Sequence, residues 1–389
     1  MNTHPGLKDG PIYLDYNATT PVDPAVVEAM LPYLSAQFGN PSSSHRYGHT
    51  AHGAVDQARL QVANLLGCQP DEIIFTGGGS ESDNLAIRGI ALARKARGNH
   101  IITQVTEHPA VLNTCRALER LHGFRVTYLP VDAYGRVNPD DVEAATGDST
   151  VLISIMHANN ETGTLQPLQE IARIAHRHGA LLHSDAAQSV GKIPTLVSEL
   201  GVDLLTIAGH KLYAPKGIGA LYVRRGLQLE PIIYGGGQES GRRAGTENVA
   251  YMVALGTACQ LAYTQLPQSL PRLRDLRDRL QSRLEQELPG RIHLNGHPDQ
   301  RLPNTLNISV AGVIGEEVLA ATPQIASSTG SACHEGNTDP SPVLMAMGYR
   351  REAALEALRL TLGRWSTEEE VERAARLLSR SVDALSHKQ

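Results

Sequence analysis

The stretch that decides the fold is Val202-Asp203-Leu204-Leu205-Thr206-Ile207-Ala208-Gly209-His210-Lys211. Its first seven residues are mostly apolar, which is typical of a buried β-strand, and the Gly-His-Lys that follows indicates a turn at the end of that strand. A second apolar run, at residues 180–183, precedes Ser184-Asp185-Ala186-Ala187-Gln188. The sequence therefore predicts a lysine after one buried strand and a carboxylate after another.

This pair of residues is what pyridoxal phosphate chemistry requires. The cofactor is held by a lysine as a Schiff base, and an acid keeps its pyridine nitrogen protonated so that the ring accepts electrons from the substrate. A buried Lys–Asp ion pair with a purely structural role would explain the same two residues. Lys211 and Asp185 alone leave both interpretations open.

Length and composition limit the class of protein. A chain of 389 residues is long enough for one large domain and a smaller one. A formal net charge of −5 gives no electrostatic footprint for nucleic acid or an anionic membrane. No apolar run approaches the roughly 20 residues of a membrane helix, and the N-terminus lacks a signal-peptide pattern. The chain has four cysteines without metal-ligand spacing, so we expect free thiols, a cytoplasmic protein and no metal site.

Strand-like and helical patterns alternate along the chain, which favours a mainly parallel sheet covered on both faces. We expect an α/β fold with a seven-stranded sheet in a large domain, at residues 15–264. The composition shifts near residue 265, where a charged amphipathic helix is predicted. Residues 265–389, together with residues 1–14, are predicted to form a smaller α/β domain. The predicted strands of the large sheet are residues 72–76, 100–105, 124–130, 151–156, 180–183, 204–208 and 218–223.

A glycine-rich turn follows the first of these strands. In Gly77-Gly78-Gly79-Ser80-Glu81-Ser82, backbone N–H groups at a helix start, with the Ser80 hydroxyl, are suited to bind a phosphate. The turn has neither a Walker ending nor a clean dinucleotide fingerprint. Because glycines also occur at strand–helix turns for steric reasons alone, the turn by itself does not decide between anion binding and packing.

Polar residues follow other predicted strands. His108 comes after residues 100–105, Asn160 after residues 151–156, and Gln188 three residues after Asp185. Ligands bind at the carboxyl ends of the strands in open α/β sheets. The three side chains are therefore candidates for one site, although each would also be ordinary as a polar turn residue.

Cys333 lies in the polar stretch Ser327-Ser328-Thr329-Gly330-Ser331-Ala332-Cys333-His334-Glu335-Gly336-Asn337. Structural cysteines prefer burial, whereas an accessible thiol beside a base is suited to act as a nucleophile. A chance surface thiol is the alternative. The other three cysteines, Cys68, Cys115 and Cys259, lie in or at the end of predicted helices and are predicted to be structural.

Together these motifs resemble the cysteine desulfurase family, which comprises fold-type I pyridoxal phosphate enzymes of the class V aminotransferase group. The resemblance runs from Tyr13-Leu14-Asp15-Tyr16-Asn17-Ala18-Thr19-Thr20 to Leu358-Arg359-Leu360-Thr361-Leu362-Gly363-Arg364 and so covers nearly the whole chain. Gly39-Asn40-Pro41-Ser42-Ser43 and Gly245-Thr246 match in between. Many motifs in the same order are far more specific than any one of them.

The resemblance implies a role for each matching residue. Lys211, His108 and Cys333 are implied to be catalytic, and Cys333 forms the persulfide. Arg359 and Asn17 are implied to bind the substrate, with the arginine holding its carboxylate. The implied cofactor contacts are Lys211 (Schiff base), Asp185 (pyridine nitrogen), His108 (stacked on the ring), Gln188 and Asn160 (ring hydroxyl), Gly79, Ser80 and His210 (phosphate), and Thr246 (phosphate of the second protomer).

The implied function is removal of sulfur from L-cysteine, giving L-alanine and a persulfide that passes to an acceptor such as an iron–sulfur scaffold protein. The resemblance also implies a homodimer. Ala208 departs from the family pattern, because many members have a serine there that helps to hold the phosphate. Cys333-His334 followed by Pro340-Ser341-Pro342 is similar to the selenocysteine lyase branch, so L-selenocysteine is an alternative substrate. A plain aminotransferase and a non-catalytic protein of the same fold are more distant alternatives.

Overall fold

A computed structural model describes residues 4–330 and 339–387. Its strands are β1 (Ile12–Tyr13), β2 (Ile73–Thr76), β3 (His100–Gln104), β4 (Arg125–Leu129), β5 (Thr150–Ser154), β6 (Leu181–Asp185), β7 (Leu204–Ala208), β8 (Gly219–Val223), β9 (Ile292–Leu294), β10 (Thr305–Val310), β11 (Ile325–Ala326) and β12 (Ala357–Thr361). Its helices are α1 (Pro24–Ser35), α2 (Arg46–Leu66), α3 (Gly79–Ala93), α4 (Pro109–His122), α5 (Pro139–Ala145), α6 (Leu168–Arg177), α7 (Val197–Leu200), α8 (Val249–Glu287), α9 (Gly315–Ala320), α10 (Pro342–Ala346), α11 (Arg351–Leu355) and α12 (Glu368–Ser386).

The central sheet has seven strands in the order β2-β8-β7-β6-β5-β3-β4. Strand β8 is antiparallel to both of its neighbours, and the other strands run parallel to one another. Helices cover both faces, because apolar side chains from the two sides of the sheet enter two separate core clusters. The predicted mainly parallel, seven-stranded α/β sheet is therefore confirmed.

The direction of the strands determines where polar side chains meet. The parallel strands all end at the same edge of the sheet, and each is followed by a turn or a helix start rather than by a continuing apolar run. Strand β6 ends at Asp185 itself, two positions beyond the predicted strand at residues 180–183. Strand β7 ends at Ala208 and leads directly into a short 3₁₀ turn over Gly209–Lys211. The lysine and the acid are thus brought to neighbouring strand ends.

A second, antiparallel sheet with the strand order β12-β10-β9 forms a smaller core near the C-terminus. Apolar residues of β10, β12, α12 and the second half of α8 pack in this core, and Ile12 and Leu14 from the N-terminal segment join them. Helix α8 is continuous over 39 residues and crosses residue 265, although Pro267 and Pro271 lie inside it. Its first half packs on the large sheet and its second half on the small one, so the boundary at 264/265 stays a prediction.

Within the described ranges, no helix is both long and apolar enough to cross a membrane. The described residues also contain no cluster of three or more His, Cys, Asp or Glu side chains that could hold a metal ion.

Candidate active site

A cavity of about 550 Å³ lies at the carboxyl edge of the large sheet. It is lined by nearly all of the site residues that the sequence predicts within the described chain. The predicted residues that line it are Asn17, Gly79, Ser80, His108, Asn160, Asp185, Gln188, His210, Lys211 and Arg359.

Lys211 presents a primary amine to this cavity. Its Nζ donates to the backbone carbonyls of Asn17 and Ala18, both at 2.6 Å. Burial is the main cause that lowers the pKa of this amine to about 8, and the positive charge of Arg359 acts in the same direction. The negative charge of Asp185 opposes the shift. The neutral, nucleophilic form of the amine is therefore accessible near neutral pH.

Asp185 is a buried carboxylate facing the same cavity. It is 8% exposed, and its Oδ1 accepts a hydrogen bond from the Ala187 N–H at 2.9 Å. Burial raises its pKa, while the Ala187 N–H, His108 and Lys211 oppose that shift. A positively charged ring nitrogen beside this acid would favour the carboxylate form. The site thus fits the protonated pyridine of the cofactor.

Two further buried acids surround Asp185. Asp83 lines the cavity and is 1% exposed. Glu107 is 4% exposed and is not among the residues that line the cavity. Burial raises the pKa of Asp83 well above its usual range and that of Glu107 to about 8. The raised pKa values favour the protonated form of both acids, which limits the negative charge around Asp185. Neither acid is marked by a local motif, so neither could be predicted from the sequence.

The glycine-rich turn opens onto the cavity at the start of α3. Gly78 precedes the helix with φ of 148°, a conformation that side-chain-bearing residues rarely adopt, and no side chain caps the helix start within the described structure. A Cβ at Gly79 would approach Ala208 Cβ to 3.1 Å, so the glycine allows the turn to pack against β7. Uncapped N–H groups at the N-terminus of a 15-residue helix fit a phosphate group.

Two histidines at the cavity are held as neutral rings. The backbone N–H of Ala110 donates to His108 Nδ1 at 3.1 Å, so the proton of the neutral ring must lie on Nε2. His210 Nδ1 is 3.2 Å from the Thr19 hydroxyl. Burial, followed by the charge of Lys211, lowers the pKa of His210 to about 4.

Arg359, on β12, brings a guanidinium group from the small sheet to the cavity. Its Nη2 donates to Asp15 Oδ1 at 2.9 Å and to Ser328 Oγ at 2.7 Å, and its Nη1 donates to the Asn160 carbonyl at 3.2 Å. Its buried Nε has no hydrogen-bond partner among the described residues. An unpaired donor on a buried cation suits an anionic ligand such as a carboxylate.

Asn17 is almost fully buried, at 1% exposure. Its Oδ1 accepts from Lys192 Nζ and Asn304 Nδ2, both at 3.1 Å. Its Nδ2 donates to Thr305 Oγ1 at 2.9 Å and to the Asn160 carbonyl at 3.2 Å. These bonds use the full capacity of the side-chain amide. Asn17 therefore links its neighbours to one another, and direct contact with a substrate stays a prediction.

One predicted site residue within the described chain is not brought to this cavity. Thr246 is exposed on the segment between β8 and α8 and does not line the cavity. Cys333 and His334 lie outside the described residues.

The described residues on either side of Cys333 lie close to the cavity. Gly330 is the last described residue before it, and a Cβ at this glycine would come within 2.9 Å of Glu161 Oε2. On the other side, Ser341 Oγ donates to the same carboxylate oxygen at 2.5 Å. Glu161 follows Asn160, which lines the cavity. Both flanks of the segment that carries Cys333 therefore meet at the rim of the site.

The fold and the residues around the cavity define a fold-type I enzyme dependent on pyridoxal phosphate. The model of the class-V aminotransferase family matches residues 12–374. Cysteine desulfurase IscS from Dictyoglomus turgidum is 47% identical over 96% of this chain and 95% of its own length. A solved NifS-like protein has a TM-score of 0.90 at 37% identity and covers 96% of this chain and 100% of its own. SspA, solved in complex with cysteine, has a TM-score of 0.79 at 39% identity and covers 91% of this chain and 99% of its own.

The chain belongs to the class-V aminotransferase family and, within that family, to the cysteine desulfurases. Its cofactor is pyridoxal phosphate.

The lowered pKa of Lys211 predicts how cofactor attachment depends on pH. Attack on the aldehyde requires the neutral amine, so the rate at which cofactor-free protein gains its visible absorbance should rise with pH and level off above about 8. Stopped-flow absorbance across this range measures the rate, and Lys211→Arg should show no covalent attachment. A rate that keeps rising towards the ordinary lysine pKa of 10.5 would contradict the account of Lys211.

Proposed function

We propose that this protein removes sulfur from L-cysteine, giving L-alanine and a persulfide on Cys333. The observation that carries the proposal is that the Lys211 amine, the Asp185 carboxylate and the Arg359 guanidinium face one cavity. These groups match the needs of an amino acid substrate: an amine to exchange with, an acid for the cofactor ring and a cation for the substrate carboxylate. The cysteine desulfurase names of its relatives and the cysteine in the SspA structure support the same substrate.

The cofactor would be held from several sides of the cavity. When bound, pyridoxal phosphate withdraws electrons from the substrate and so makes its Cα–H bond acidic. Asp185 would hold the ring nitrogen and His108 the ring face, while Gln188 and Asn160 would contact the ring hydroxyl. The residues proposed for the phosphate are Gly79, Ser80, His210 and Thr246 of a second protomer.

Lys211 and Arg359 would act on the amino acid itself. With an amino acid in the cavity, Lys211 Nζ would accept the Cα proton. Its lowered pKa favours this role, because more of the amine is neutral near pH 7. Arg359 would bind the substrate carboxylate with its guanidinium group, because Arg359 lines the cavity, and Asp15 and Ser328 keep that group in place.

Sulfur transfer would take place at Cys333. Its thiolate forms a bond to the substrate sulfur while the bond between that sulfur and Cβ breaks, and the electron pair of the broken bond remains with the carbon fragment. Protonation of that fragment gives alanine, and His108 Nε2–H is the proposed proton carrier. The net change is L-cysteine plus a thiol giving L-alanine plus a persulfide, which balances without an external oxidant or reductant.

The three described cysteines are poorly suited to act as nucleophiles, which supports the assignment of this role to Cys333. Cys115 and Cys259 are fully buried, and Cys68 is partly buried. Burial raises the pKa of Cys68 and of Cys115 to about 12 and raises that of Cys259 as well. Since the thiolate is the nucleophile, none of the three is suited to attack the substrate sulfur at neutral pH. The free thiols also favour a reducing compartment, and we propose the cytoplasm.

Cys333→Ser should therefore retain the bound cofactor and its visible spectrum but lose persulfide formation and nearly all alanine production. The matched control, Cys68→Ser, should keep both, because Cys68 is only partly buried and its raised pKa keeps it from acting as a thiolate. Alkylation of the persulfide followed by mass spectrometry measures the first product, and amino acid analysis measures the second. Alanine release by Cys333→Ser at the wild-type rate would mean that Cys333 is incidental.

Selenocysteine lyase is a second candidate function, favoured by Cys333-His334 and by Pro340-Ser341-Pro342. A selenol is largely ionised at neutral pH, so release of selenium needs less help than release of sulfur. We propose that L-cysteine is nevertheless a genuine substrate and that His334 assists the Cys333 thiol as a base or as a nearby positive charge.

Specificity constants for the two amino acids test this choice. We expect alanine from both substrates. His334→Thr should lower kcat/KM for cysteine more than for selenocysteine, because release of sulfur depends more on an activated Cys333 thiol than release of selenium does. Selenide and sulfide are quantified alongside alanine. Alanine from selenocysteine with none above background from cysteine would assign the protein to the lyases. Unchanged constants in His334→Thr would remove only the role proposed for His334.

We further propose a homodimer that passes its persulfide sulfur to an acceptor protein such as an iron–sulfur scaffold. Thr246 is exposed and lies away from the cavity of its own chain, as expected for a residue that serves a partner's site. Phe38 and Tyr47 stack on one another while 71% and 57% exposed, and such an exposed aromatic pair suits a protein interface.

Sedimentation of the cofactor-loaded protein at low micromolar concentration should give about twice the chain mass of 41.9 kDa. Thr246→Ala should weaken cofactor binding without changing this mass, because it removes one phosphate contact and little interface. A monomer that is fully loaded and active at that concentration would contradict the shared-site dimer.

A further inference from the structure

Lys192 is a buried lysine that the proposed chemistry does not use. It lies just after β6 and is 7% exposed. Its Nζ donates to Gln188 Oε1 at 2.9 Å and to Asn17 Oδ1 at 3.1 Å. Both partners are neutral amide oxygens, and the described structure gives Lys192 no carboxylate partner within ion-pair distance. The sequence analysis gave no reason to single this residue out.

These two bonds fix the direction of two side-chain amides. An ammonium group has only donors, so the oxygen of each amide must face Lys192 and the nitrogen must face away. Gln188 Nε2 accordingly donates to the Asn17 backbone carbonyl at 3.0 Å, and Gln188 lines the cavity. The same carbonyl accepts from Lys211 Nζ at 2.6 Å. A continuous chain of hydrogen bonds thus connects Lys192 to Lys211 through Gln188 and Asn17.

The turn that carries Lys192 is packed against the turn that carries Lys211. Gly191, next to Lys192, has φ of 75°, and a Cβ there would come within 2.1 Å of Leu212 Cδ1. A side chain at position 191 would have to displace the Leu212 side chain, and the positive φ itself favours glycine. The two turns are therefore in close contact.

Burial without a carboxylate partner is costly for a lysine. Two amide oxygens compensate only partly for the hydration that the Lys192 ammonium loses on burial. If the side chain served packing alone, a methionine of similar length would therefore fill the same space at little cost in stability. Burial first, and then the charges of Lys211 and Arg359, lower the pKa of Lys192 to about 7. The charge of Lys192 also contributes to the lowered pKa of His210. The cost of burying this amine indicates that Lys192 serves the site rather than the packing of the core.

We propose that Lys192 is a positioning residue: by donating to Gln188 and Asn17 it fixes the orientation of both amides and, through the Asn17 carbonyl, the place of the Lys211 amine. Lys192 itself does not line the cavity. It acts on the reaction only through the residues that line the cavity. The inference deepens the proposed function and rests on it for its kinetic test, but not for its spectroscopic test.

The spectroscopic test is the pH titration of the visible absorbance of the cofactor-loaded protein without substrate. Lys192→Met should raise the midpoint by about half a pH unit or more, because it removes a positive donor and frees Gln188 to turn its oxygen towards the site. Lys95→Met is the matched control, since Lys95 is an exposed lysine bonded to the His122 carbonyl and should leave the midpoint unchanged. An unshifted midpoint in Lys192→Met overturns the proposal.

A double-mutant cycle separates positioning from a simple charge effect. If Lys192 acts through Gln188, Lys192→Met should shift the midpoint by less than half as much in a Gln188→Leu background. An equal shift in both backgrounds would mean that Lys192 acts by its charge alone, which overturns the proposal. The double variant removes Lys192 and its Gln188 acceptor together, and Asn17 Oδ1 keeps its bond from Asn304 Nδ2. If Lys192→Met alone does not fold, a shift of about half a pH unit or more between Gln188→Leu and the double variant would by itself overturn the proposal.

The kinetic test uses L-cysteine as the substrate. Lys192→Met should lower kcat about tenfold while KM stays within about twofold, as expected when reacting groups are misplaced rather than lost. Lys192→Gln, which keeps a donor, should recover part of kcat. A lowered Tm with unchanged midpoint and kcat would assign Lys192 a structural role instead. A coloured wild-type protein that releases no alanine from cysteine would overturn the proposed function, and the spectroscopic test would still decide the role of Lys192.

Discussion

The backbone carbonyl of Asn17 is the point on which the geometry of the site depends. It accepts one hydrogen bond from Lys211 Nζ and another from Gln188 Nε2, which uses both of its lone pairs. The Asn17 N–H donates to Thr361 Oγ1 at 3.0 Å, and its side chain bonds to Asn304 and Thr305. The N-terminal segment is thereby tied to the small sheet on one side and to the lysine of the large sheet on the other. Arg359 is tied to the same residue, because the Asn160 carbonyl accepts from both Asn17 Nδ2 and Arg359 Nη1.

Electrostatics impose the second constraint, because the site gathers ionisable groups where water is largely excluded. Burial raises the pKa of both Asp83 and Glu107 and so favours their uncharged forms, and the rings of His108 and His210 remain neutral. The described site thus keeps its charge on a few groups whose proposed partners are a ring nitrogen, a phosphate and a carboxylate. A low local dielectric makes each of these attractions stronger than it would be in water.

Local signals account for what could be predicted from the sequence. Helix α4 spans Pro109–His122, and the sequence marks its two ends with a proline at the first position and Gly123 after the last residue. The strand before Lys211 was recognisable from its apolar run and the glycine after it. These strand ends placed Lys211, Asp185, His108 and the glycine turn at one edge of the sheet, while the choice of cofactor contacts came from the family resemblance.

The features that could not be predicted depend on contacts between distant parts of the chain. Asp15 pairs with Arg359 across 344 positions, and Lys192 with Asn17 across 175. No periodicity or motif encodes such a pairing. The continuous α8 was missed for a related reason: Pro267 and Pro271 disfavour a helix locally, but packing against both cores holds it together.

The central claim is that Lys211 is the lysine that carries the cofactor in a site organised around the Asn17 carbonyl. The most direct measurement is reduction of the cofactor-loaded protein with borohydride, followed by protease digestion and mass spectrometry of the peptides. The account predicts that the yellow colour is lost and that the pyridoxyl mass is found on Lys211 alone. A label on Lys192 or Lys216, or a colourless protein that takes up no added cofactor, would contradict it.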